Sequence, residues 1–136
     1  MIIYNGPIES EKRNPSLEYI KNIIFEQSEK YWKQGGGDSC IEVDGNEERL
    51  IFFFDEPYGF FVMRHPDYLV PIDRNISIKT VEHIVGGEPM KIPTCSYISR
   101  EKMYKIIFEF INNNDIEQLV EWIDLYDIEF NHDFNE

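Results

Sequence analysis

Basic residues are scarce in this chain, and cysteines are scarcer. Lys and Arg number 13 against 26 Asp and Glu, a formal charge of −13 over 136 residues. A field of that sign repels phosphate backbones and anionic headgroups, so neither nucleic acid nor a membrane surface is an expected direct partner. Cys40 and Cys95 lack the paired spacing of a zinc site and read as reduced, buried thiols. No apolar run approaches membrane-spanning length. Met1-Ile2-Ile3-Tyr4 is apolar but short, and Pro7 and Glu9 follow at once. No signal peptide is therefore expected, and the chain reads as a soluble cytoplasmic protein.

Catalytic signatures are missing as well. No Gly-Lys-Ser or Gly-Lys-Thr follows a glycine-rich loop, and Gly35-Gly36-Gly37 comes after a helical pattern rather than a strand. It reads as a helix terminator and a flexible link. The three histidines, His65, His83 and His132, do not pair at the spacing that puts two imidazoles on one helix face. His83 falls in a strand pattern and reads as a hydrogen-bonded structural residue; His132 reads as solvated. There is no Gly-x-Ser-x-Gly elbow and no deaminase His-x-Glu with Pro-Cys-x-x-Cys. No metal, cofactor or catalytic residue is assigned. Acidic pairs such as Glu47-Glu48 and Asp55-Glu56 sit in turn sequences, where water keeps carboxylates ionised.

What is present is enough apolar sequence for a core: 42% hydrophobic and 15% aromatic residues exclude a disordered chain despite the charge. Residues 1–136 read as a single domain. Asn14-Pro15 is expected to cap and open a helix with Leu17, Ile20, Ile24, Gln27 and Tyr31 on one stripe, ending near Gln34. A meander of hairpins follows: Cys40–Val43, the turn Asp44-Gly45-Asn46-Glu47, Leu50–Phe54, the turn Asp55-Glu56-Pro57, and Tyr58–Met63. Tyr68-Leu69-Val70 reads as a short edge strand between prolines. Val81–Val85 leads through Gly86-Gly87 into Met90–Ile92. Two adjacent glycines there mark backbone that a side chain would obstruct. Ser99 is expected to cap a second helix carrying Met103, Ile106, Ile107 and Phe110, stopped by Asn112-Asn113-Asn114. Leu119–Ile123 is a last strand, with the residues after Tyr126 extending it or fraying. The fold class is α+β, an antiparallel sheet with two helices on one face. After Lys105 no Lys or Arg occurs, so the C-terminal end through Asp133 and Glu136 is acidic and reads as a solvated face or tail.

The run from Val85 to Trp122 resembles the first-described immunity-protein family of bacterial polymorphic toxin systems. The features that carry it are Gly86, Gly87, Pro89, Pro93, Ser99, Phe110 and Trp122, with the upstream glycines 35–37 and the aromatic stretch Tyr58–Phe61. Asn112-Asn113-Asn114 stands where the family carries glycine, and the chain extends past Trp122. The resemblance implies an inhibitor that binds a cognate toxin, often a nucleic-acid deaminase or a nuclease, and blocks its active site or substrate cleft. Such clefts hold polyanions and tend to be basic, which suits a chain of charge −13. The expected contacts are Asp44, Glu47 and Glu48 in one hairpin turn, Asp55 and Glu56 in another, and Tyr58 and Tyr68 as aromatic anchors. The competing readings are a regulatory module for some other basic protein, and a small hydrolase using His65, Asp67 or His83.

Overall fold

A computed structural model describes residues 1–130 of the chain. The fold is α+β and antiparallel throughout. Among the described residues ten strands run in chain order: β1 (Ile2–Asn5), β2 (Lys12–Arg13), β3 (Ser39–Val43), β4 (Arg49–Asp55), β5 (Gly59–His65), β6 (Leu69–Pro71), β7 (Thr80–Val85), β8 (Glu88–Pro93), β9 (Tyr97–Ile98) and β10 (Trp122–Asp124). The main sheet has the order β10-β6-β5-β4-β3-β1-β2, with β9 also paired to β5. β7 and β8 form a ribbon of their own. β6 is not an edge strand: β10 lies on its other side, with Trp122 opposite Pro71. β10 is shorter than the expected Leu119–Ile123, because Leu119 belongs to a turn closed on Ile116.

Both helices, α1 (Leu17–Lys21) and α2 (Arg100–Ile111), pack on one sheet face. Ser99 caps α2 as expected, its Oγ accepting from the Lys102 N–H at 3.2 Å, and Met103, Ile106, Ile107 and Phe110 are all buried. Asn113 ends that helix at φ +58°, the left-handed conformation that Asn tolerates. The first helix departs from expectation at both ends. Its cap is Ser16, whose side chain accepts from Tyr19 N, whereas Asn14 turns its side chain to the Ile2 N–H at 2.9 Å. It passes into a π turn at Asn22–Glu26 and stops, with only a 3-10 turn at Tyr31–Lys33 beyond. The early stop has a visible cause. The Arg100 guanidinium donates to the carbonyls of Ile24 at 2.6 Å and Gln27 at 3.1 Å, and so satisfies backbone acceptors that a longer helix would have used.

Alternation along β4 assigns its two faces. Leu50, Phe52 and Phe54 face the helices, with Trp32 5.3 Å from Phe60 beneath them. A polar chain is threaded through this core. The Trp32 indole donates to Ser39 Oγ at 2.9 Å; the Ser39 and Tyr4 hydroxyls, then the Tyr4 and Tyr31 hydroxyls, are each 2.8 Å apart; Tyr31 donates to Glu9. Each link can donate towards the carboxylate, so the buried hydroxyls are satisfied. Arg49, Ile51, Phe53 and Asp55 share the other face. There the β7–β8 ribbon covers Phe53 and Asp55 and leaves Arg49 and Ile51 partly exposed. The molecule therefore has three layers at one end of the sheet and two at the other. No helix among the described residues is long and apolar enough to cross a membrane.

The glycines hold the ribbon in place, in a different way from that expected. At Gly86 and Gly87 nothing lies within 4 Å of where a Cβ would be. What the turn needs is their positive φ, +60° and +82°, which a two-residue hairpin turn requires. Gly35 and Gly37 are where a side chain would collide: a Cβ would lie 1.9 Å from Pro7 O and 2.0 Å from Ile84 O, respectively. The glycine run is thus a crossing of three backbone segments and not a flexible link. Gly36 N donates to Pro7 O, and Gly36 O accepts from Gly87 N.

Candidate functional site

The two acidic hairpin turns lie at opposite ends of β4 and β5. These strands pair over their whole length, from Arg49 opposite His65 to Asp55 opposite Gly59. Seven residues at about 3.4 Å each place the two turns roughly 20 Å apart, so they do not form one patch.

Asp55 is not a surface carboxylate. It is 5% exposed, at the end of β4 beneath the ribbon. Its Oδ1 lies 2.8 Å from His83 Nδ1 and its Oδ2 accepts from the Tyr97 hydroxyl at 2.7 Å. His83 Nε2 lies 2.6 Å from the Gly37 carbonyl, and the ring stacks on Phe53 at 3.9 Å and 7°. A carbonyl only accepts, so Nε2 carries a hydrogen and donates. The Nδ1 contact then holds a proton supplied by the ring or by the carboxyl. Burial, followed by the Asp55 charge and hydrogen bond, pushes the Tyr97 hydroxyl well above the usual tyrosine range. The cluster joins ribbon, glycine crossing, β4 and β9, and its polar atoms face one another. His83 is the structural histidine that the sequence suggested. Beside it, Asp38 Oδ1 accepts from Gly86 N at 3.0 Å, while burial raises its carboxyl above the usual range. Glu56 and Tyr58 are exposed at this end, Tyr58 resting 5.5 Å from Tyr97.

At the other end the same residue types face solvent. Arg13, Ile3, Glu42, Arg49 and His65 lie side by side across five strands. Ile3, Glu42, Arg49 and His65 border a groove of about 500 Å³ whose rim is the turn Asp44–Glu48 and whose far wall is His65-Pro66. Asp44 and Glu47 are exposed. Glu48 is committed elsewhere: it takes the Arg64 guanidinium in a fork, Nε to Oε2 at 3.0 Å and Nη2 to Oε1 at 2.8 Å. Arg64 also reaches Glu117 at 2.7 Å and lies 5.0 Å over the Trp122 ring. Burial opposes the Arg64 charge, and the Glu117 and Glu48 carboxylates outweigh it, holding the group more firmly protonated than in water. Glu48 is therefore a strut between the hairpin and the 115–122 loop, and Arg64 was not foreseen in that role.

Tyr68 continues the surface from His65, the rings 6.2 Å apart, and Tyr126 follows at 5.5 Å, edge to face. Tyr126 is 63% exposed and Tyr68 40%. Little in the sequence points to Tyr126, which lies in an acidic stretch that reads as a tail. It is held in place by Leu125 and Ile128, both buried, and by Asp124, whose side chain accepts from its N–H at 2.9 Å. His132, Asp133 and Glu136 lie outside the described residues. The structure therefore brings together Asp44, Glu47, Glu48 and Tyr68, sets Glu56 and Tyr58 at the far end, and buries Asp55. Among the described residues no group of His, Cys, Asp and Glu is arranged to hold a metal ion. Cys95 is buried as expected, whereas Cys40 is only partly so, with burial pushing its thiol up to about 11.

No family model matches this chain, and no solved structure does. Among curated proteins, an alpha-glucosidase of Apis mellifera is similar over 115 residues at 26% identity. The match takes in 82% of this chain and 20% of that protein, so the chain spans about a fifth of the length of the relative. Similarity at that level leaves the activity open.

Proposed function

We propose that this chain is an immunity protein, which neutralises a cognate nucleic-acid-targeting toxin in the cytoplasm of the producing cell by occluding its basic cleft. The observation that carries the reading is the sheet end where Asp44, Glu47, His65, Asp67 and Tyr68 stand together on a scaffold fixed from behind by the Glu48–Arg64–Glu117 strut. Exposed carboxylates on a rigid turn can stand where a polyanion's phosphates would lie, and tyrosines give contact area at low entropic cost. The net charge of −13 speeds encounter with a positive cleft and disfavours direct competition for nucleic acid. The residues behind the family resemblance support the same reading in another way. Gly86 and Gly87 turn the ribbon, Ser99 caps α2, Phe110 is core and Trp122 backs Arg64. All of these build the fold and leave the contact surface free to differ between pairs.

Co-purification with any toxin domain found encoded beside it, followed by an assay of that toxin on nucleic acid, tests the proposal. A stable complex without toxin activity is expected. A chain that leaves the toxin active, or that turns over a substrate of its own, overturns it. A protein-binding module for some other basic partner would bind without restoring growth to toxin-expressing cells.

A further inference from the structure

We propose that the outer edge of β7 is a docking site for an extended, basic segment of a protein partner, which adds to the ribbon as a third strand. The edge lies at the closed end of the sheet, and the proposal does not rest on the reading above. Pro89 and Pro93 have no N–H, so the pairs they make with Ile84 and Thr80 are the non-bonded pairs of the ladder. The bonded pairs are then Val85–Glu88, His83–Met90 and Val81–Ile92, as the two-residue turn at Gly86-Gly87 requires. The backbone groups of Thr80, Glu82 and Ile84 therefore point out from one edge of the ribbon, and those of Pro89, Lys91 and Pro93 from the other. The two edges differ. Prolines at alternate outward positions block the β8 edge against a further strand. The β7 edge has no proline, and among the described residues no strand pairs with it.

The glycine crossing closes one part of that edge, where Gly37 lies against the Ile84 carbonyl. Thr80 and Glu82 are left, both exposed, each with its N–H and C=O turned outward. Ile78 and Ile84, each 46% exposed, flank them in the chain. Beside Glu82 the edge borders a cleft of about 260 Å³, with Trp32 and Lys33 in its lining. An unprotected edge next to a recess is what an added strand needs: main-chain bonds give affinity, and alternate side chains give selectivity. Charge selects the occupant. A second copy of this chain would bring its own −13 and its own Glu82 to the contact. The Glu82 carboxylate makes no ion pair among the described residues, so a Lys or Arg placed opposite it on an incoming strand gives it a cross-strand partner. That opposite residue belongs to a bonded pair, so its own N–H and C=O face β7.

The experiment titrates the full chain calorimetrically at low salt with three synthetic probes. One is a short peptide of alternating Lys and Val, the second is the same peptide N-methylated on its Lys backbone nitrogens, and the third is a Glu-Val counterpart. The Lys-Val peptide should bind about tenfold more tightly than either of the others. N-methylation leaves the charge of the peptide unchanged, so the loss it causes reports main-chain pairing and not general attraction to an acidic protein. T80P removes an outward N–H and no ribbon bond. It should weaken the Lys-Val peptide about tenfold while unfolding in urea close to wild type. E82Q should weaken it about threefold. Equal affinity for the Lys-Val peptide and its N-methylated form, or an affinity that either variant leaves unchanged, overturns the proposal. So does a wild-type dimer in sedimentation that T80P dissociates, which gives the edge to a second copy. Failure of the edge leaves the toxin reading standing, because the open end takes no part in these titrations.

Discussion

Each end of the β4–β5 pair carries an aspartate, a histidine and tyrosines, and the two ends use them in opposite ways. At the closed end Asp55, His83 and Tyr97 satisfy one another beneath the ribbon, at 5% exposure or less. At the open end Asp67, Tyr68 and Tyr126 face water and His65 is half-buried, with the His65 and Tyr126 rings each set edge to face with Tyr68. Residue type does not separate a structural cluster from a contact surface. A covering layer does, and that layer is positioned by the close crossing of Gly37 with Ile84 and the Gly87 N–H bond to Gly36 O.

If the closed end is structural, removing His83 should unfold it. H83A leaves the buried Asp55 with the Tyr97 hydroxyl alone and should cost about 3–5 kcal/mol, read from urea unfolding. G37A should cost about 3 kcal/mol, because its Cβ meets the Ile84 carbonyl and its φ is +88°. G86A pays only for its positive φ and should cost about 1 kcal/mol. The gap between those two separates collision from conformation. Y97F removes a hydroxyl donor to a buried carboxylate and should cost about 2 kcal/mol.

Alkaline titration draws the same contrast. Burial raises the tyrosine hydroxyls of Tyr4, Tyr31 and Tyr97 far above their ordinary value. The folded state then holds protons that the unfolded chain releases. Their stabilisation is complete below about pH 10 and is lost as pH rises above it. Stability should therefore fall steeply beyond pH 10, and phenolate absorbance should gain a late component that appears only with unfolding. At the open end effects on stability should be small. Y68G should raise stability by about 1 kcal/mol, and D44N with E47Q should change it by less than about 0.5 kcal/mol.

Much of the scaffold was legible in the sequence because it depends on local signals. Ser99 with its apolar stripe, the Asp44–Glu47 turn and the alternation in Cys40–Val43 each specify their element without help from afar. The first helix misled because its end is set by Arg100, more than seventy residues away. The placement of the candidate contact residues was half legible. Asp44 and Glu47 stand exposed in their turn, and Tyr68, expected in a short edge strand, stands exposed just before β6 at the same end. Asp55 looked like any turn carboxylate, since nothing near it in sequence announces the ribbon that covers it. Glu48 looked free because its partner Arg64 is sixteen residues on. Tyr126 was overlooked because an acidic context hid the buried Leu125 and Ile128 on either side of it.

The most direct test of the central claim is the association rate with a toxin domain of the kind proposed as its partner, measured against salt for wild type and for the quadruple variant D44N, E47Q, D67N, D127N. Wild type should associate more slowly as salt rises, and the variant should start slow and depend little on salt, while folding as wild type does. Identical rates and identical salt slopes for the two proteins would show that the open end is not where this chain meets its partner.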